Sequence, residues 1–205
     1  PAPPRFRKSR LSPDEVGDPP MGITAENLVE KYDISREEQD EFAASSQRKM
    51  RIAMEEGRFN EQIVPIAIPV RKGEPMIFNQ DEHPRPQTSI EGLGKLAPAF
   101  KKDGSVTAGN SSGLNDAASA LVLMSRQKAE ELKLEPMAII REHAVAGVDP
   151  NLMGIGPVPA VRKVLKKAGL TLEDMDLVEI NEAFAAQVIA CDRELQLNPE
   201  KLNVN

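Results

Sequence analysis

The chain has 205 residues, 40% hydrophobic and 28% charged, with a net charge of −6 and an isoelectric point near 5.2. That balance excludes a nucleic-acid binder, which needs clustered Lys and Arg to neutralise phosphates, and no apolar run reaches the ~20 residues of a membrane span. Its single cysteine, Cys191, excludes a disulfide framework and a CxxC metal cluster.

Residues 1–20 hold six of the 17 prolines, with Arg5, Arg7, Lys8 and Arg10 among them, and read as an irregular solvated loop. From Thr24 the texture changes. Ala25, Leu28, Val29 and Tyr32 fall on one face of an amphipathic helix. Ser35, with Glu38 three residues on, predicts a capping box opening a second helix. Phe42, Ala43, Met50, Ala53 and Met54 form its apolar face, and Gly57 ends it. Residues 62–70, QIVPIAIPV, are β-rich, but Pro65 and Pro69 confine them to an edge strand. Residues 71–106 are polar and turn-rich, an excursion between compact parts.

Residues 117–125, AASALVLMS, suit a buried strand, and RQKAEELK after them suits an exposed helix. Residues 138–147 read as extended. Pro159 opens a helix with Val161, Val164, Leu165 and Ala168 on one face and Gly169 at its end. Residues 175–180, MDLVEI, read as a strand running into a helix whose apolar face is Phe184, Val188, Cys191 and Leu195. Strand and helix patterns alternating in this way define an α/β protein.

Three short motifs are candidates for chemistry. In TAGNSSGLND, residues 107–116, Gly109 and Gly113 let backbone approach a ligand, while Asn110, Ser111, Ser112 and Asn115 add small polar groups. The same composition suits a polar turn before a strand. MGIGPVPA, residues 153–160, is a stiff lead into a helix whose free N–H groups face an anion or carbonyl oxygen. A plain helix-start turn is the alternative, and the motif is not GxGxxG. In EINEAFAAQ, residues 179–187, a strand ends at Ile180 and a helix begins within the next two residues. Ligands gather at the carboxyl ends of such strands. Asn181 sits at this point, able to donate a neutral hydrogen bond to a water or oxyanion, and equally suited to N-capping. Cys191 lies on an apolar helix face and reads as a small buried hydrophobe. His83 and His143 are far apart and lack HExxH spacing, so no metal site is indicated.

Order and wording together carry more than any one motif. PMGITAENLVEKYDISREEQDEFAASSQRKM, GSVTAGNSSGLNDAASALVLMS, VDPNLMGIGPVPAVRKVLKKAGL and DMDLVEINEAFAAQ resemble the thiolase family, from about Met21 to Asn205. In that family a reactive cysteine accepts an acyl group, while a second cysteine and a histidine manage protons. The resemblance implies acyl transfer between acetyl-CoA units, by Claisen condensation to acetoacetyl-CoA or the reverse thiolysis. It places the nucleophile upstream of this segment and a Gly-His-Pro histidine just beyond Asn205. The chain as given is therefore expected to be inactive alone. The alternatives are a non-catalytic coenzyme A-binding or interaction fragment and, less favoured, a relative acting on longer or sterol-linked acyl chains.

The resemblance also implies a fold, an α/β architecture forming part of the five-layer α-β-α-β-α thiolase arrangement with an inserted, mostly helical loop domain. Residues 1–114 would be that loop domain, covering coenzyme A. Residues 115–136 would end the N-terminal half, and residues 137–205 would start the C-terminal half. Asn181 would hold the catalytic water, while Ala183, Phe184 and Met153 would surround the acyl end. Ala108, Ser112 and Leu114 would line the pantetheine, with Phe100 packed along it. Met21 and Arg85 would touch the adenine and its phosphates, where a guanidinium suits a polyanion. Pro20 departs from the family, which often carries His before the Met-Gly pair. Coenzyme A and acetyl-CoA enter as substrate, with no covalently bound cofactor. A homo-oligomer, dimer or tetramer, is expected of the complete protein. The expected location is cytoplasmic, with mitochondrion or peroxisome as alternatives. A chain missing the rest of both sheets is expected to expose strand edges and apolar faces.

Overall fold

The computed structural model describes residues 12–205. Arg5, Arg7, Lys8 and Arg10 of the expected loop lie outside them. Helix α1, Met21–Tyr32, begins directly after Pro20, nearly a turn before Thr24. The Pro20 carbonyl accepts from the N–H groups of Ile23 and Thr24, and the Thr24 hydroxyl donates to the Met21 carbonyl at 2.7 Å. Asp33, left-handed at φ 49°, ends α1.

Helix α2, Arg36–Glu55, carries the expected capping box: the Ser35 hydroxyl accepts from the Glu38 N–H at 3.1 Å, and the Glu38 carboxylate accepts from the Ser35 N–H at 2.7 Å. Its chain turns away at Gly57, φ 67°, a left-handed conformation that favours glycine. Strand β1, Ile66–Ile68, pairs antiparallel with β2, Met76–Phe78, in register Ile66↔Phe78, Ala67↔Ile77, Ile68↔Met76. Pro65 and Pro69 bracket β1, as an edge strand requires. The expected excursion thus holds β2 and a short helix, α3, Ile90–Gly94.

Helix α4, Arg126–Glu131, is capped by Ser125. A 3₁₀ segment, Pro150–Ile155, leads into α5, Pro157–Ala168, which starts two residues before Pro159 and ends at left-handed Gly169. Helix α6 runs Ala185–Leu195.

The main core joins Val158 of α5 to Val188, Cys191 and Leu195 of α6, with Ile180, Leu197 and Leu202 around them. A second cluster seats Leu28 of α1 against Ala186 and Ala190 of α6. Those small alanines let the helices approach closely. Gly154 extends the fit, since a Cβ there would lie 2.7 Å from Leu28 Cδ1. Burying Leu28 fully is worth about 1.5–3 kcal/mol.

Two strand expectations, 117–125 and 175–180, are not met. Residues 117–125 form no strand and are not buried: Leu121 and Val122 are 87% and 84% exposed. Residues 138–147 likewise form no ladder, with Ile139 and Ile140 exposed. A strand is stabilised by its neighbours, and no strand among the described residues lies beside either segment. The stretch 175–180 keeps one parallel bridge, Val178↔Leu202. These are the exposed edges and apolar faces expected of a partial sheet.

Candidate functional site

The glycine-serine loop at 107–114 and the loop leading into α6 lie against each other. The Ser112 N–H donates to the Ala183 carbonyl at 3.0 Å, the Ala185 N–H donates to the Asn110 carbonyl at 2.9 Å, and Ser111 pairs with Phe184 in an antiparallel bridge. Phe184, not Asn181, is the N-cap of α6, so the helix begins later than its sequence suggests. Capping does not account for Asn181. The residue is exposed, and its side chain makes no hydrogen bond among the described residues.

Three cavities meet at that side chain. One of about 220 Å³ is lined by Met21, Met153, Asn181, Ala183 and Phe184. A second, about 250 Å³, is lined by Ser112, Asn181 and Glu182, and the third, about 880 Å³, by Leu114, Asn181 and Glu182. Asn181 lines all three. Phe100 meets Phe184 edge to face, centroids 5.9 Å apart at 83°. Its ring also lies on Gly22, where a Cβ would sit 2.1 Å from the ring carbon Cγ.

Eight of the ten residues singled out in the sequence are therefore grouped around the apposed loops, either lining these cavities or, for Phe100, packed on Phe184. Ala108 and Arg85 stand apart from the cavities. Ala108 is exposed beside the Gly109 turn. Arg85 turns its guanidinium back on its own loop, one Nη donating to the carbonyls of Glu82, His83 and Pro84 at 2.9, 2.8 and 3.3 Å.

Sequence reasoning missed the polar frame beneath these loops. Asp40 on α2 is buried and accepts from Arg36 at 2.7 Å and from the Asn110 amide at 3.0 Å. The Asn110 Oδ1 accepts from the Thr107 N–H at 2.8 Å, fixing the turn. Glu26 of α1 accepts from the N–H groups of Ser105 and Val106 at 3.0 and 2.9 Å. Only the Arg36–Asp40 spacing of four on a helix was readable in advance. His83, considered in the sequence only as a metal ligand and set aside, lines the two larger cavities.

Cys191 is fully buried in the main core. Burial pushes its thiol up from 9.0 to about 11. Its sulfur lies 3.4 Å from the Gly154 carbonyl, to which it donates. A buried, protonated thiol is inert as a nucleophile. No group of three or more metal-binding side chains occurs among the described residues, nor is any of their helices long and apolar enough to cross a membrane.

The glycine-serine loop laid along the Asn-Glu-Ala-Phe turn lies in a chain that known proteins resemble over nearly its whole length. The family description "Thiolase, N-terminal domain" matches residues 8–127, and "Thiolase, C-terminal domain" matches residues 134–205. The chain belongs to the thiolase family. It is 58% identical over 192 residues to an acetyl-CoA acetyltransferase of Pseudomonas aeruginosa, covering 94% of this chain and 49% of that protein. The crystal structure of the Bacillus anthracis acetyl-CoA acetyltransferase superposes with a TM-score of 0.89 at 56% identity, covering 93% of this chain and 48% of that one. Human mitochondrial 3-ketoacyl-CoA thiolase in complex with CoA superposes with a TM-score of 0.87 at 46% identity, over 98% of this chain and 53% of that one. The fold is thus part of the thiolase fold, and the chain spans about half the length of the curated relatives it matches.

Proposed function

We propose that this chain forms the coenzyme A-facing part of an acetyl-CoA C-acetyltransferase, active when completed by the segments that carry its reactive sulfur and histidine. The observation that carries this reading is Asn181: an unpartnered amide where all three cavities meet, in a chain whose relatives are named for acetyl-CoA chemistry. In this reading the acetyl group passes from coenzyme A sulfur to the nucleophilic cysteine supplied elsewhere. Attack by the enolate of a second acetyl-CoA then releases that cysteine and forms acetoacetyl-CoA. The Asn181 N–H groups hold the water that stabilises the thioester or enolate oxygen. Met153, Ala183 and Phe184 enclose the acyl end. Ala108, Ser112 and Leu114 follow the pantetheine with Phe100 packed along it, and Met21 and Arg85 meet the adenine and its phosphates. Residues 1–114 act as the covering loop domain, residues 115–136 as the end of the first half and residues 137–205 as the start of the second. The complete protein works as a homo-oligomer, dimer or tetramer.

The test is thiolysis of acetoacetyl-CoA by the chain alone and by the polypeptide completed to full thiolase length. Turnover by the completed form only is expected. Turnover by the purified chain alone, or none by the completed form, overturns the proposal.

A further inference from the structure

Among the described residues the Asn181 amide has no partner, so its aim depends on the backbone either side of it. Both flanks are held by one residue, Asn203. Its Oδ1 accepts from the Ile180 N–H at 2.8 Å, and its Nδ2 donates to the Ile180 carbonyl at 2.9 Å and to Glu182 Oε1 at 2.8 Å. The other Glu182 oxygen accepts from the Ser46 hydroxyl of α2 at 2.5 Å. One turn along α2, Lys49 Nζ donates to the carbonyls of Leu202 and Asn203 at 2.9 and 2.8 Å. Asn203 is buried and left-handed, φ 44°, a conformation Asn tolerates better than most residues.

We propose that Glu182 is a positioning residue for Asn181: clamped by Ser46 and Asn203, it ties the pose of the Asn181 amide to helix α2. This rests on the thiolase reading above for its chemical consequence. Glu182 faces two of the cavities, which makes a general base the obvious rival role. Both its oxygens are already engaged as acceptors, one by Ser46 and one by Asn203. The clamp spans from α2 to the segment after α6, so Glu182 cannot move without breaking two hydrogen bonds. A donor misplaced by about 1 Å costs on the order of a hundredfold in rate. Removing Glu182 leaves Asn203 still bound to both polar groups of Ile180, so Asn181 shifts by less and a smaller loss is expected.

The test uses the polypeptide completed to full thiolase length. Glu182→Ala should lower kcat about tenfold and leave KM for acetyl-CoA within about twofold. Glu182→Gln still accepts from Asn203 and can donate to Ser46, and should recover to within about threefold of the parent. Ser46→Ala should fall between them, and it carries the test if Glu182→Ala does not fold. Independently of turnover, the Asn181 side-chain amide resonances should be sharp in the parent and broadened or split in Glu182→Ala. A loss confined to KM, a Gln variant no better than Ala, or unperturbed Asn181 resonances would each overturn the proposal. An inactive parent would sink the thiolase reading, while the resonances would still decide the positioning.

Discussion

Iodoacetamide added to the folded chain at about pH 8 should leave Cys191 almost untouched. The thiolate is the reacting species. At an ordinary thiol value near 9.0, roughly one molecule in ten is ionised at that pH; at about 11, roughly one in a thousand is. Ionisation alone therefore slows alkylation about a hundredfold, and complete burial slows it further, because the sulfur must first be uncovered. Intact-mass measurements over time, with and without denaturant, give the ratio directly. A parallel incubation with acetyl-CoA should yield no acetyl adduct. Native labelling within about tenfold of the denatured rate, or an adduct at Cys191, would refute the reasoning and return Cys191 as a candidate nucleophile. The same shift has a stability consequence. The folded state keeps a proton that the unfolded state gives up, so the contribution is complete below about pH 9 and is lost as pH rises from there towards 11. At about 1.4 kcal/mol per unit the loss is roughly 2.7 kcal/mol at most. Cys191→Ala should flatten the fall of stability with pH across that window.

Three substitutions probe the frame around the loops. Gly22→Ala puts a Cβ 2.1 Å from the Phe100 Cγ, and should cost about 1–3 kcal/mol in denaturant unfolding while weakening coenzyme A binding; a neutral effect on both would show that the ring is not fixed there. Asp40→Ala removes one acceptor each from Arg36 and Asn110, which keep the carbonyls of Leu93, Leu96 and Ser105, and should destabilise by about 1–3 kcal/mol; Asp40→Asn should cost clearly less, as read by thermal melts. Arg85→Ala in the completed polypeptide should raise KM for coenzyme A by on the order of tenfold with kcat steady; an unchanged KM counts against its phosphate assignment, which already requires the guanidinium to leave the carbonyls of its own loop.

Local signals were legible wherever the chain carries its own solution. The Ser35–Glu38 box, the glycine stop at Gly57, the Gly169 cap and the apolar faces of α1, α5 and α6 depend on residues a few positions apart, and all were readable. The three motifs were readable too, though not which would touch. That depends on Ser112 finding Ala183 some seventy residues on, which no periodicity encodes. Asn203 was invisible for the same reason: nothing in LNVN announces that its side chain will bind both polar groups of Ile180. Strand identity misled at 117–125 because the composition reports a preference for pairing, while pairing needs a partner.

The contrast between those bare extended segments and the ordered loops carries a functional argument. The apposition of 107–114 with 181–185 is not held by any sheet beyond a single bridge. It is held by Ser112–Ala183 and Ala185–Asn110, by Asp40 under Asn110, by Glu26 under Ser105 and Val106, and by Glu182 between Ser46 and Asn203. Each of those partners lies within the described residues, and Glu26, Asp40, Ser46 and Ala185 sit on α1, α2 or α6, which bury one another's apolar faces. The wall assigned to coenzyme A is therefore assembled by helix packing and long-range polar bonds, independently of strands that would complete the sheets. Binding and bond-making then separate physically. On the proposed reading, the pocket for the acyl group belongs to this chain's own packing, whereas the attacking thiolate is supplied elsewhere, because the one thiol among these residues is held protonated in the core.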